Sequence, residues 1–469
     1  LLLHQFHDIL PGSSIARVYE EAEKALGAVL TDAGKLAEGS AKALTDQSAE
    51  KAVTVFNSLG FARKELVSLP ECFASGAETA DGEPIPVQAA QGTVKALVTI
   101  PSCGAVTLVP CETAGSLPEG ASIAVTEDGY RMENALIAAE INRNGEVTSF
   151  VLKGSGREFA ASPMNRFRMY KDVPRMFDAW DIDSNYVDQE VEAAADITTE
   201  ILAEGLEAVL RVKGRIGSSF FTQDIRLRAD SRRLEFETEI DWRELHRLLK
   251  TVFPADVYAE NGINEIQFGY VERPAHRSRQ YDKDRFEVCN HRYSALCDGS
   301  HGAAVLNDCK YGISMNANAL ELTLLRAAAS PEMRADNKIH RFTYGFTAWE
   351  GSFTDSDVVK QGYELNVKPL ITAGSTKTFR AVQVEKENVI LDTLKPAEDG
   401  SGDLILRLYE SKKASVSTRV ACGFGGCRAY LCDMLENAEE EIPMENGGIR
   451  LEFKAFEVKT VRVQTGLHT

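Results

Sequence analysis

The sequence predicts a mainly β, multi-domain protein: a short N-terminal α-helical segment followed by antiparallel β-sandwiches. Three observations carry this. Helical periodicity is confined to residues 13–46, where Ile15, Val18, Tyr19, Ala22, Leu26, Val29, Leu30, Ala33 and Leu36 recur at i, i+3 and i+4. From Ala52 onward the apolar pattern has period two, as in Phe236, Thr238, Ile240 and Trp242 against Glu235, Glu237, Glu239 and Asp241. At 469 residues the chain exceeds one hydrophobic core, so about three or four domains are expected.

Taken in order, residues 1–50 form the helical segment, with Ser13 or Ser14 as the helix cap. Gly34 and Gly39 divide the run into two helices, and its apolar stripe needs partners that the rest of the chain scarcely offers. Residues 51–120 form a small β-domain of short runs, Val53–Asn57, Lys64–Leu69, Ile85–Gln88, Val94–Ile100 and Ala105–Val109. A Gly- and Pro-bearing linker covers 113–121. Residues 121–385 form a large β-sandwich, with Leu206, Ala208, Leu210 and Val212 on one face and Glu207, Arg211 and Lys213 on the other. Residues 386–469 form a C-terminal small β-domain around Leu404–Tyr409 and Ile449–Phe453. No initiator Met is present and the chain opens inside Leu1-Leu2-Leu3, so it reads as the C-terminal part of a longer protein.

Lys and Arg number 52 against 70 Asp and Glu, a net charge of −18. Such a surface repels phosphate backbones and anionic membranes, so no nucleic-acid or membrane partner is expected. No apolar run is long enough to cross a bilayer. Nine cysteines, an odd number without a CxxC pair, point to reduced thiols and a cytoplasmic protein. Cys422, Cys427 and Cys432 lack the spacing and the neighbouring histidine of a zinc site. The stretch Gly423–Cys427 lacks the pattern of a phosphate loop.

Chemistry concentrates at the start, in His4-Gln5-Phe6-His7-Asp8-Ile9-Leu10-Pro11-Gly12-Ser13-Ser14. A neutral imidazole is a good zinc ligand, and a neighbouring carboxylate can orient it, bind metal or accept hydrogen bonds from sugar hydroxyls. A His-Asp pair alone is more often structural or simply exposed.

The whole string resembles the signature of family 38 glycoside hydrolases, the class II α-mannosidases, in which a Q-x-H-D core precedes a small-residue turn and a helix. Further segments resemble the family in its order: Val55–Leu59, Phe177-Asp178-Ala179-Trp180-Asp181-Ile182-Asp183, Glu272–Arg277, Arg285–Val288, Ala304–Gly312, Leu322–Arg326, His340–Tyr344, Leu406–Glu410 and Phe456–Val458. Tyr293, where many members carry Trp, and Arg277–Tyr281 depart from it.

This resemblance implies the end of a helical bundle followed by β-sandwiches, one of them large and galactose-mutarotase-like. It implies a retaining, zinc-dependent α-mannosidase that acts on α-mannoside oligosaccharides. His7 is then one of four zinc ligands and Asp8 a sugar contact. The nucleophile and the acid/base carboxylate, which retaining hydrolysis sets about 5 Å apart, lie outside this sequence, so no catalytic residue is assigned and the chain alone is expected to be inactive. A stand-alone carbohydrate-binding or oligomerising β-sandwich is the alternative, and homo-oligomer formation is left open. Asp178, Asp181 and Asp183, the last two read as sharing one face of a strand, are read as a substrate rim or a folding element, or else as simply solvated. Glu272, Arg273 and His276 are read as a charged loop that lines the sugar cleft or forms a salt-bridged surface. His291, His301 and His340 are read as structural.

Overall fold

The computed structural model describes residues 1–465 apart from 91, 114, 117, 118, 192 and 193. Positions 114, 117 and 118 of the expected linker and 466–469 of the C-terminal domain therefore lie outside the described residues. The 28-residue helix Ala16–Ala43 is followed by antiparallel sheets. Gly34 and Gly39 lie inside this helix and do not divide it. A solvent-facing glycine costs about 1 kcal/mol relative to alanine, and the Ala, Leu, Lys and Glu around these two are strong helix formers. The expected serine cap also differs. Ser13 Oγ donates to Asp8 Oδ1 at 3.3 Å, and the Ser14 N–H donates to the Tyr19 hydroxyl at 2.8 Å.

The chain divides into two compact units. The first holds residues 1–36, 118–265 and 272–366. Its largest sheet has the order Ala195–Ala203, Glu207–Ile216, Ser219–Arg228, Leu234–Asp241, Ile339–Glu350, His301–Asn307, Tyr293–Cys297, Asn261–Ile266, Gly269–Pro274. A second sheet runs Arg166–Lys171, Arg247–Pro254, Ala319–Arg326, Gly312–Asn316, Val288–Cys289. A third is centred on Ile137–Asn142. Period-two side chains from all three meet in one core. Phe346 of the large sheet packs edge-on to Phe150 of the third (5.0 Å) and parallel to Phe253 of the second (5.5 Å). Such sheet-on-sheet packing removes one face of each sheet from water, which is the main stabilising term.

The opposite face of the large sheet is charged and cross-paired. Arg226 binds Glu207 and Glu237, Arg211 binds Asp224, and Arg341 binds Glu239. This is how alternating Glu and Arg positions are satisfied on neighbouring strands. The nine-residue helix Val358–Asn366 is too short for its period to stand out in the sequence. It buries Val358, Val359, Tyr363 and Leu365, and Asn366 Nδ2 donates to the Asn307 carbonyl at 3.0 Å.

The second unit holds residues 37–117, 266–271 and 367 onward. Val53–Asn57 pairs on one side with Gly104–Pro110 and on the other with Leu370–Ala373. Thr54 Oγ1 donates to the Gly374 carbonyl, 320 positions away. One apolar core forms around Val55, Phe73, Ala96 and Leu108, and another around Val382, Leu406, Val420 and Val461. All nine cysteines are free thiols.

Candidate functional site

The first candidate is the turn that carries His7 and Asp8. A short 3-10 helix, Leu2–Gln5, enters it. The Ile9 and Leu10 N–H groups then return to the Phe6 carbonyl at 3.0 and 3.2 Å, and the Ser13 N–H returns to the Asp8 carbonyl at 3.3 Å. Gly12 closes the turn at φ 72°, the left-handed region that suits glycine. The turn therefore holds the Asp8 backbone, while Ser13 holds one carboxylate oxygen. His7 Nε2 stands 3.6 Å from Asp8 Oδ2, with 69% and 39% of the two side chains exposed. The Phe6 ring lies beside the imidazole, its centroid 4.4 Å away. His4, in the same segment, has a buried Nδ1 with no hydrogen-bond partner among the described residues.

Zinc prefers four tetrahedral N, S or O ligands. No group of three or more His, Cys, Asp or Glu among the described residues could hold a metal ion. The exposed imidazole of His7 fits one corner of such a site, and the described residues do not supply the others.

The Phe177–Asp183 segment is a turn-rich loop rather than a strand, so Asp181 and Asp183 do not alternate on one face. Its carbonyls converge on one guanidinium. Arg326 donates to the backbone oxygens of Asp178, Ala179 and Asp181 and, through Nε, to Asp172. Asp178 accepts the Ala329 N–H at 2.7 Å and lies 3.0 Å from His246 Nε2. A loop that satisfies its carbonyls this way has no need of a sheet ladder.

Glu272 and Arg273, expected on a loop, lie on the strand Gly269–Pro274, and only His276 follows it in a bend. Arg273 donates to Asn264 Oδ1 at 2.8 Å and to the Cys289 carbonyl at 3.1 Å, and burial pushes its pKa down. His276 lies 3.8 Å from Asp282, which Arg279 also binds. His276 borders a cleft of about 410 Å³ with Asp256, Tyr258, Glu260 and Asn318. A second cleft, of about 470 Å³, lies on the charged face of the large sheet beside Asp308 and Arg341. In the Ala304–Gly312 stretch, Asn307 acts structurally: Nδ2 donates to the His291 carbonyl at 2.7 Å and Oδ1 accepts the Lys310 N–H. His301 contacts the Asp256 carbonyl, and His340 contacts the Asp336 carbonyl with burial lowering its pKa. His291 packs edge-on to Tyr311. The anchoring role of Arg326 and the His246–Asp178 contact have no signal in the sequence, because both depend on segments far apart along the chain.

Three family models match in chain order. The alpha mannosidase middle domain covers residues 1–44, the glycosyl hydrolases family 38 C-terminal domain covers 132–334, and the family 38 C-terminal beta sandwich domain covers 388–461. The chain matches the C-terminal region of the class II α-mannosidases, glycoside hydrolase family 38. Among relatives it is 33% identical to alpha-mannosidase 2C1 of Homo sapiens, over 98% of this chain and 44% of that protein. It is 28% identical to alpha-mannosidase G of Dictyostelium discoideum, over 98% of this chain and 47% of that one. The chain thus spans less than half the length of either relative. In fold it is similar to the crystal structure of an alpha-mannosidase from Enterococcus faecalis V583, with a TM-score of 0.79 at 14% identity, covering 98% of this chain and 62% of that one.

Proposed function

We propose that this chain is the C-terminal part of a retaining, zinc-dependent α-mannosidase that removes terminal α-linked mannose from oligosaccharides. The observation that carries the reading is the exposed His7–Asp8 pair on a turn clamped by Ser13, in a segment matched by the alpha mannosidase middle domain. His7 supplies one zinc ligand, and the ion, when bound, supplies positive charge against sugar hydroxyls. Asp8 contributes a carboxylate that is half free. Ser13 holds Oδ1, and the second oxygen is available to accept a hydroxyl hydrogen bond. Nothing in this chain is assigned as nucleophile or acid/base, so the 469-residue chain alone is inactive. The free thiols support a cytoplasmic protein.

The test uses a polypeptide extended to the length of the relatives. It should hydrolyse an aryl α-mannoside and bind zinc. His7→Ala should lower both bound metal and turnover by at least about tenfold, as losing a metal contact does. Unchanged zinc content and turnover in that variant would sink the reading, and so would measurable turnover by the 469-residue chain alone.

A further inference from the structure

The loop 172–183 holds bulky side chains in water and is fixed in that posture. Val173, Met176, Phe177 and Trp180 are all exposed, the last two at 65% and 61%. Apolar residues scattered singly over a surface are ordinary, but a cluster marks a contact site. Phe177 sits at φ 50°, a conformation that bulky side chains rarely adopt and that persists only where the surroundings enforce it. Here the Phe177 carbonyl accepts the Trp180 and Asp181 N–H groups at 2.7 and 2.9 Å, and Arg326 donates to three further backbone carbonyls of the loop at 2.7–3.4 Å. The Asp178 carboxylate adds its bonds to Ala329 and His246, and Asp183 accepts the Arg175 N–H at 2.9 Å. The two rings stand 6.4 Å apart, centre to centre, at 45°. Among the described residues the Arg175 guanidinium and the Asp181 carboxylate have no hydrogen-bond partner, and both residues are exposed.

One rigid loop therefore offers two aromatic faces, a planar fork of donors and a free carboxylate. A pyranose has the complementary chemistry: a face of C–H groups for the electron-rich ring, with hydroxyls around its rim that both donate and accept. A purely apolar partner would leave the free fork and carboxylate unmatched at the contact. We propose that this loop is a carbohydrate platform, stacking a hexose of an α-linked mannosyl chain on Trp180 with Phe177 as a second wall and Asp181 and Arg175 taking its hydroxyls. The mannosyl identity rests on the proposed mannosidase reading, whereas the platform rests on the loop alone.

The chain supplies its own probe. Of its three tryptophans, Trp242 and Trp349 are each 1% exposed, so Trp180 alone gives water-exposed emission. Titrating the 469-residue chain with an α-linked mannotriose should shift that emission to the blue and shield it from iodide. The change should saturate at a half-point on the order of 1 mM, as suits one stacked ring and two hydrogen bonds. Trp180→Phe should abolish the signal. By saturation-transfer NMR, Trp180→Ala should weaken binding at least about tenfold, with an unchanged unfolding midpoint as the fold control. No response to the sugar would overturn the proposal. A blue shift that grows with protein concentration and without sugar would also overturn it, because a second copy would then be the occupant. An equal response to maltotriose would confirm the platform and overturn the mannosyl assignment, independently of the zinc and turnover assays.

Discussion

Lys250 shows how a single residue can be decisive and still go unnoticed. It lies in the run Leu248-Leu249-Lys250-Thr251-Val252-Phe253, and its side chain is fully buried. There it binds the Glu287 carboxylate, with Ser314 Oγ at 2.9 Å and the Tyr186 hydroxyl at 3.4 Å. A buried charge persists only when paired and hydrogen-bonded. Lys250→Met should therefore cost about 3–5 kcal/mol in urea unfolding, because Glu287 would be left without its cation. The double variant Lys250→Met, Glu287→Gln should recover much of that loss, since the stranded charge is gone. A near-neutral single variant would refute the pairing argument. The sequence displays the misplaced charge in an apolar run, but it does not reveal a partner 37 positions away. His7 is the opposite case. Its type, its neighbour and its turn residues are all local, so the candidate was legible, whereas the Trp180 platform needed Arg326 to be seen.

Among elements, the Asp399–Asp403 turn has a definite pH signature. Hydrogen bonds from Ser401, its hydroxyl foremost, and then from Arg462 hold the Asp399 carboxyl down at about 2, against 3.8 ordinarily. Arg462 also binds Asp403 at 2.7 Å, tying the turn to the last strand, Val458–Gln464. A depressed carboxyl contributes stability above its unfolded pKa and loses it as pH falls through the folded one. Between about pH 4 and pH 2 the chain should lose stability partly through this group, and Asp399→Asn should flatten that part of the curve. An identical acid profile for the variant would count against it. The N-terminal helix gives a second expectation. Leu30 and Leu36 are about three-quarters exposed, so Leu30→Lys should change thermal stability by no more than about 0.5 kcal/mol. A large loss would mean that the stripe is covered within this chain. The expected break at Gly34 failed because glycine's weak helix propensity is outvoted by its neighbours, whereas period-two strands were legible because a half-buried sheet forces that alternation.

For the whole molecule, all three tryptophans fall in the first unit and none in the second. Urea unfolding followed by the buried tryptophans Trp242 and Trp349 reports the first unit, while far-UV circular dichroism reports both. With separate cores in each unit, the two curves should not coincide, and superimposable transitions would show a single cooperative block. The sequence by itself determined the mainly β class, the helical start, the acidic surface and the likeness to family 38, because alternation, composition and short motifs are local properties. Only the tertiary structure decided that Leu370–Ala373 closes against Val53–Asn57, that Lys250 finds Glu287, and that Arg326 fixes an aromatic loop in water. Those outcomes depend on which distant groups can satisfy each other's hydrogen bonds and exclude water together, and no local pattern along the chain encodes that pairing.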